Sequence, residues 1–184
     1  VNNEDKLSTD DIIRNLQNKN ISIYLYDNLE STNDTAKKCL FDKTVILANE
    51  QTMGRGTRGK SFFSPPGSGI YMSVIFKHEF AENSIFITKK ISDCVCRVIE
   101  KLTGLNVEIR GINDVFLNGK KICGVLTEYT NGFLIIGIGI NVYPPYNNLP
   151  QSIADIAGWL FDKQGSVTRN KLIAEVINEL EKIV

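Results

Sequence analysis

Two β-prone runs, NDVFL and KKICGVLTEY, are separated only by Asn118-Gly119. Asn-Gly readily supplies the two positive φ angles of a two-residue turn, so the segment is predicted to be a β-hairpin. So short a connection admits only antiparallel strands, because a parallel pair needs a crossover of a dozen or more residues.

Other β patterns surround this hairpin. Alternation in ISIYLYDNL predicts a strand over residues 21–28, and TVILANEQ, GIYMSVIFK and FLIIGIGINV read as strands with little exposed surface, while VEIR leads into the hairpin. Ser8-Thr9-Asp10-Asp11 offers an N-cap to a helix carrying Ile12, Ile13 and Leu16 on one side, and Ser31-Thr32-Asn33-Asp34 caps a second, short helix. Residues 83–103, 151–161 and 168–183 carry helical spacing. Strands gather in the middle and helices toward the ends, without strict βαβ alternation. The expected fold class is α+β, a mixed, largely antiparallel central sheet with helices packed on it. With no repeat or linker, residues 1–184 are expected to form a single domain.

Twenty-one basic residues balance twenty-one acidic ones, so no overall field draws the chain to DNA or to an anionic membrane. Any polyanion site must be local. The apolar run Phe133–Val142 is interrupted by Gly137, Gly139 and Asn141 and is too short to span a bilayer. The leading VNNEDKLSTDD lacks the order of a secretory signal, which points to a cytoplasmic protein. Cys39, Cys94, Cys96 and Cys123 fit no zinc or redox spacing and read as small core residues, and the lone His78 reads as a surface residue.

The segment from Gly54 to Gly69 holds five glycines, two adjacent prolines and the cations Arg55, Arg58 and Lys60, without an acidic residue. Gly54-Arg55-Gly56-Thr57-Arg58-Gly59-Lys60-Ser61 matches the phosphate-loop pattern GxxxxGK[ST] letter for letter. A true phosphate loop opens directly into a helix, whereas Pro65, Pro66, Gly67 and Gly69 forbid one here. The loop chemistry survives that failure: glycines let the backbone approach an anion, and the cations neutralise it.

LESTNDTAKK, ANEQTMGRGTRGKSFFSPPGSGIYMSV, INDVFLNGKKICGVLTE and GIGINV follow in the order and at about the separations of the signature segments of biotin protein ligases. The chain resembles the catalytic domain of that family from about residue 21 onward. The resemblance implies that an N-terminal DNA-binding domain and the C-terminal β-barrel common in the family are both absent. It implies an ATP-dependent ligase that converts biotin to biotinoyl-AMP and passes the acyl group to a lysine of a biotin carboxyl carrier protein. Magnesium is implied as charge cover for the phosphates, and a homodimer is left open.

By the same resemblance, Ser31, Thr32, Asn33 and Gln51 read the ureido head of biotin, with Arg55, Gly56, Thr57, Lys121, Gly124, Gly137 and Gly139 completing the biotin site. Lys121, Arg55, Arg58 and Asp114 take the catalytic roles, and Asp114 is also the candidate metal ligand. Arg58, Lys60, Arg110, Asn113 and Asn141 are assigned to ATP. Alternation along a strand sends Lys120 to solvent when Lys121 faces the site. Two departures stand out: Thr57 replaces an arginine of the family loop, and Arg110-Gly111-Ile112-Asn113-Asp114 lacks the family's tryptophan. Two other readings share this fold: a homologue that binds biotin or its adenylate with weak transfer, and a lipoate or octanoate ligase.

Overall fold

The computed structural model describes residues 5–78, 84–146, 149–163 and 167–184. The hairpin forms as expected from its turn: β5 (Asp114–Leu117) and β6 (Lys120–Thr130) are joined by Asn118 at φ 50° and Gly119 at φ 78°. Asn131-Gly132, at φ 49° and 79°, makes the same kind of turn into β7 (Phe133–Asn141). With β1 (Ser22–Leu29), β2 (Thr44–Gln51), β3 (Gly69–Lys77) and β4 (Glu108–Arg110), these strands form one seven-stranded sheet of order β1-β2-β3-β7-β6-β5-β4. Only β1 and β2 pair in parallel, connected by the short helix α2 (Thr32–Lys38), and every other pair is antiparallel. The fold is therefore α+β with a mixed, mostly antiparallel sheet.

Period-two alternation gives the sheet two unlike faces. Ile70, Met72 and Val74 of β3 and Ile136, Ile138 and Ile140 of β7 pack into the main core. That core also takes in Ile12 of the first helix, α1 (Thr9–Asn15), and Leu16 at its C-cap, Ile91, Val95 and Ile99 from α3 (Ser84–Thr103), and Ile173 and Ile177 from α4 (Arg169–Leu180). On the opposite face Ala36 of α2 packs with Ile46, Ile75 and Ile135 in a smaller cluster. Each fully buried Ile contributes about 1.5–3 kcal/mol, so the three-helix face holds most of the hydrophobic stabilisation. The α2 face is left for other work.

Ser8 and Ser31 cap α1 and α2 through their side chains, accepting from the amides of Asp11 and Asp34. Ile12 and Leu16, one helical turn apart, are buried, but Ile13 is turned out to solvent. Cys94, Cys96 and Cys123 are buried core residues, and Cys39 is only partly covered. His78 is half-buried beyond the end of β3, where its carbonyl accepts a hydrogen bond from Tyr129.

Residues 151–161 do not form the expected helix; they make successive turns. Tertiary pairing overrides the spacing: Lys121 N donates to Ile156 O at 2.7 Å and Gly158 N to Lys121 O at 2.8 Å, while Leu160 N and Phe161 N donate to the carbonyls of Asn141 and Val142. These amides satisfy the ends of β6 and β7 and so are lost to a helix. No helix among the described residues is long and apolar enough to cross a membrane.

Candidate active site

The sequence GIGIN in β7 divides between the two faces. Its isoleucines enter the main core, which puts Gly137 and Gly139 on the α2 face. There Gly137 lies opposite Ser73 of β3, while Gly139 lies between Tyr71 of β3 and Gly124 of β6. Strand positions without side chains leave a trough, and two side chains from elsewhere enter it. A Cβ on Gly137 would stand 2.2 Å from Asn33 Oδ1, and one on Gly139 would stand 2.5 Å from the Phe62 ring. The ring of Phe62 meets Tyr71 edge-on at 6.5 Å, and burial pushes the Tyr71 phenol up to about 12.

The cap of α2 supplies a rigid polar floor. Thr32 N and Oγ1 both donate to Gln51 Oε1, at 2.8 and 3.1 Å, and Gln51 Nε2 donates to Ser64 Oγ at 2.8 Å. Fully buried Ser73 places its Oγ 2.9 Å from Thr32 Oγ1 and 2.5 Å from Asn33 Oδ1, and Asn33 Nδ2 donates to Glu128 Oε2 at 2.9 Å. Ser31, Thr32, Asn33 and Gln51 thus meet as a preoriented array, lining a cleft of about 440 Å³ with Arg55, Gly56 and Thr57. Ser73 and Glu128 were not anticipated. A serine inside the apolar run of β3 was the available signal for the first.

The glycine-rich segment is a hairpin-like extension of the sheet. Bridges join Gln51 to Ser64 and Arg55 to Ser61, Gly56 N donates to Lys60 O at 2.7 Å, and the tip, Thr57–Gly59, is a tight turn with Arg58 and Gly59 both at positive φ. No helix follows, since β3 begins at Gly69, and the phosphate-loop match has no phosphate-loop geometry. Gly54 has no room for a side chain, because a Cβ would lie 2.3 Å from Phe62 O. Arg55 Nη1 reaches Asp34 Oδ1 at 2.5 Å and Nη2 lies 3.4 Å from Glu128 Oε1. The Asp34 hydrogen bond, with the nearby Glu128 charge, raises the guanidinium's affinity for its proton still further. Arg58 at φ 56° and Lys60 are exposed at or beside the tip and line neither cleft described here.

Lys121 and Asp114 meet through an irregularity in the hairpin. Val115 pairs with Cys123 but Phe116 with Lys121, leaving Ile122 as an extra, bulged residue. The bulge lets Lys121 and Gly124 share a face, so that a Cβ on Gly124 would be 3.5 Å from Lys121 Nζ. Lys121 Nζ lies 2.7 Å from Asp114 Oδ1, which also accepts from Asn113 Nδ2 at 2.9 Å. Lys120 is exposed and donates to Asp155 O. Arg110 points elsewhere, paired with Glu108 and stacked 4.5 Å from the Phe116 ring centroid.

A second cleft, about 630 Å³ and open to solvent, lies beyond Lys121, with walls that include Pro65, Tyr143, Ile153, Ile156 and Trp159. Asn141 is at its edge, its Nδ2 donating to Gly158 O at 2.9 Å. Phe62 and Lys121 are the residues common to the two clefts. Sequence reasoning singled out neither Phe62 nor any wall residue between 143 and 159. Among the described residues no group of three or more His, Cys, Asp or Glu side chains is placed to hold a metal ion.

A floor of short hydroxyl and amide groups, one cation between two clefts and this sheet together define a known class. Residues 25–142 match the model of the biotin/lipoate A/B protein ligase family, and the chain belongs to that family. Within it, the chain is similar to biotin ligases. It is 32% identical over 96% of its length to the bifunctional ligase/repressor BirA of Bacillus subtilis and 30% identical over 74% of its length to that of Escherichia coli. It spans 58% and 44% of those two relatives, about half the length of the curated relatives it matches. Among solved structures, the biotin protein ligase of Aquifex aeolicus in complex with biotin and ATP superposes with a TM-score of 0.78 at 28% identity, covering 88% of this chain and 69% of that one.

Proposed function

We propose that this protein is a biotin protein ligase that activates biotin with ATP and transfers it to a lysine of a biotin carboxyl carrier protein. The observation that carries this reading is that a single cation, Lys121, lines both clefts. Biotin enters the polar-floored cleft, with its ureido ring against Ser31, Thr32, Asn33 and Gln51, and the adenine base enters the aromatic and aliphatic cleft. The biotin carboxylate and the α-phosphate then meet at Lys121.

In the first step a biotin carboxylate oxygen attacks the α-phosphorus, the bond to the β-phosphate oxygen breaks, and pyrophosphate leaves with those electrons. Lys121 reduces the repulsion between the two anions, a preorganised electrostatic effect. Arg55 adds charge if the incoming carboxylate draws it from Asp34, and Arg58 and Lys60 approach the phosphates when the loop tip folds inward. In the second step the acceptor amine attacks the acyl carbon and AMP leaves, with Asp114 suited to receive the amine's proton. Magnesium would supply charge cover for the phosphates; Asp114 is the protein carboxylate nearest to Lys121 that suits it, and the sparse donor set favours an ion carried by the nucleotide.

The polar floor also ranks the substrates. A ureido ring can use the donor and acceptor capacity that Thr32, Asn33 and Gln51 retain beyond their bonds within the floor, whereas a lipoyl or octanoyl chain gains nothing from it. The test is pyrophosphate release with ATP, magnesium and biotin, lipoate or octanoate offered separately. Release with biotin alone supports the proposal, and release with either of the others alone, or with none, overturns it.

A further inference from the structure

The second cleft is anchored at one end by buried charge. Asp5 and Arg169 are 6% and 4% exposed and join four distant parts of the chain. Asp5 accepts from the backbone amide of Arg169 at 2.9 Å through Oδ1, and through Oδ2 it accepts from the Tyr143 hydroxyl at 2.7 Å. The Arg169 guanidinium reaches back to Asp5 O and donates from Nη1 to Gly69 O at 3.1 Å. Among the described residues its Nε has no hydrogen-bond partner, and it lies 3.6 Å from Asp5 Oδ2.

Such a cluster is a costly way to hold a helix start, because buried ion pairs seldom stabilise more than apolar packing in the same space. What it does fix is geometry. Tyr143 is held at both ends, its phenol on Asp5 and its amide on Ser68 O at 2.8 Å, and both Tyr143 and Ser68 line the second cleft. The Tyr143 ring in turn packs on Phe161, with centroids 6.3 Å apart, next to the segment that presents Trp159 to the same cleft.

We propose that Asp5 and Arg169 are positioning residues for the nucleotide end of the site: they fix Tyr143, and with it the wall against which the adenine base packs. This rests on the assignment of the second cleft to ATP. The polar floor at Ser31–Asn33 shares no residue with this cluster. Loosening the cluster therefore weakens the hold on ATP and leaves the hold on biotin alone.

Trp159 is the only tryptophan of the chain and lies in the cleft wall, so its fluorescence reads the cleft directly. ATP is titrated into the full chain, wild type, Tyr143→Phe and Asp5→Asn, and the KM values for ATP and for biotin are measured in parallel. We expect the ATP dissociation constant and KM to rise about tenfold in each variant, with biotin's KM within about twofold. The Asp5→Asn/Tyr143→Phe pair should lose little more than either single variant, because both cut one link. If Asp5→Asn does not fold, Tyr143→Phe, which removes a single hydroxyl, still decides. A wild-type Trp159 signal blind to ATP overturns the nucleotide assignment and this proposal together. A responsive wild type with unaltered ATP binding in the variants, or with equal losses for biotin and ATP, overturns this proposal alone.

Discussion

Lys121 Nζ lies 2.7 Å from Asp114 Oδ1 across the β5–β6 hairpin, at the junction of the two clefts. Both side chains are about 30% exposed, so the pair adds at most about 1 kcal/mol to stability. Its place between the clefts makes its charge useful for another purpose.

Lys121→Ala should therefore leave the melting temperature nearly unchanged and lower the rate of adenylate formation by about 10²–10³, the usual loss for one preorganised electrostatic contact. Lys120→Ala, which removes a solvent-facing cation from the same strand, should change the rate less than about twofold. Pyrophosphate release measures both. Equal losses in the two variants would remove Lys121 from its proposed role.

The close approaches over β7 give a second test. At Gly137 an added methyl meets the amide of Asn33, which is bonded to Ser73 and Glu128 and has nowhere to go. Gly137→Ala should cost about 1–3 kcal/mol of stability and weaken biotin binding at least tenfold. At Gly139 the obstacle is the ring of Phe62, a side chain carried by a loop hairpin and able to rotate away. Gly139→Ala should therefore destabilise less than Gly137→Ala. Chemical denaturation with calorimetric biotin titration compares them, and the reverse order of stability would contradict the assignment of these contacts.

Loop proteolysis reads the resting hairpin. Arg58 is exposed at the tip in a left-handed conformation, while Arg55 is held by Asp34 and Glu128 and by its bridge to Ser61. Trypsin should cut after Arg58 first, and after Arg55 only once the hairpin has opened or in Asp34→Ala. Biotin with ATP should slow the first cut about tenfold or more by ordering the tip. Mass spectrometry of early fragments gives the order, and an equal rate with saturating ligands would exclude a closing tip.

Thr57 lines the polar-floored cleft where the family's loop carries an arginine. A charge-assisted contact there is worth about 1.5–3 kcal/mol, or roughly ten- to a hundredfold in retention of the adenylate. We expect biotinoyl-AMP to leave this protein readily and to acylate lysines of a bystander such as albumin, and Thr57→Arg to suppress both. Stopped-flow release and bystander labelling make the comparison. Unchanged or faster release from Thr57→Arg would show that position 57 does not set retention.

Much of the scaffold was legible in the sequence because its signals are local. Asn118-Gly119 made its turn, Ser8 and Ser31 capped their helices, and the alternation of GIGIN put isoleucines on one face and glycines on the other. Asn131-Gly132 carried the same turn signal and marks the boundary between β6 and β7 as plainly. Ser31, Thr32, Asn33 and Gln51 are brought together because a cap and a strand end meet where β1 and β2 run in parallel.

What the sequence could not decide depends on partners far along the chain. The bulge at Ile122 is set by the register of β5 against β6, and that extra residue, not simple alternation, brings Lys121 and Gly124 to one face. Residues 151–161 have helical spacing, but their amides and carbonyls answer unpaired groups at the ends of β6 and β7, and those bonds win over local propensity. Ser73, Phe62 and Tyr143 acquire their places only when strand, loop and helix are packed. Periodicity and turn chemistry act over a few residues and so fixed the elements, whereas the clefts and their shared lysine arise from contacts among residues dozens of positions apart.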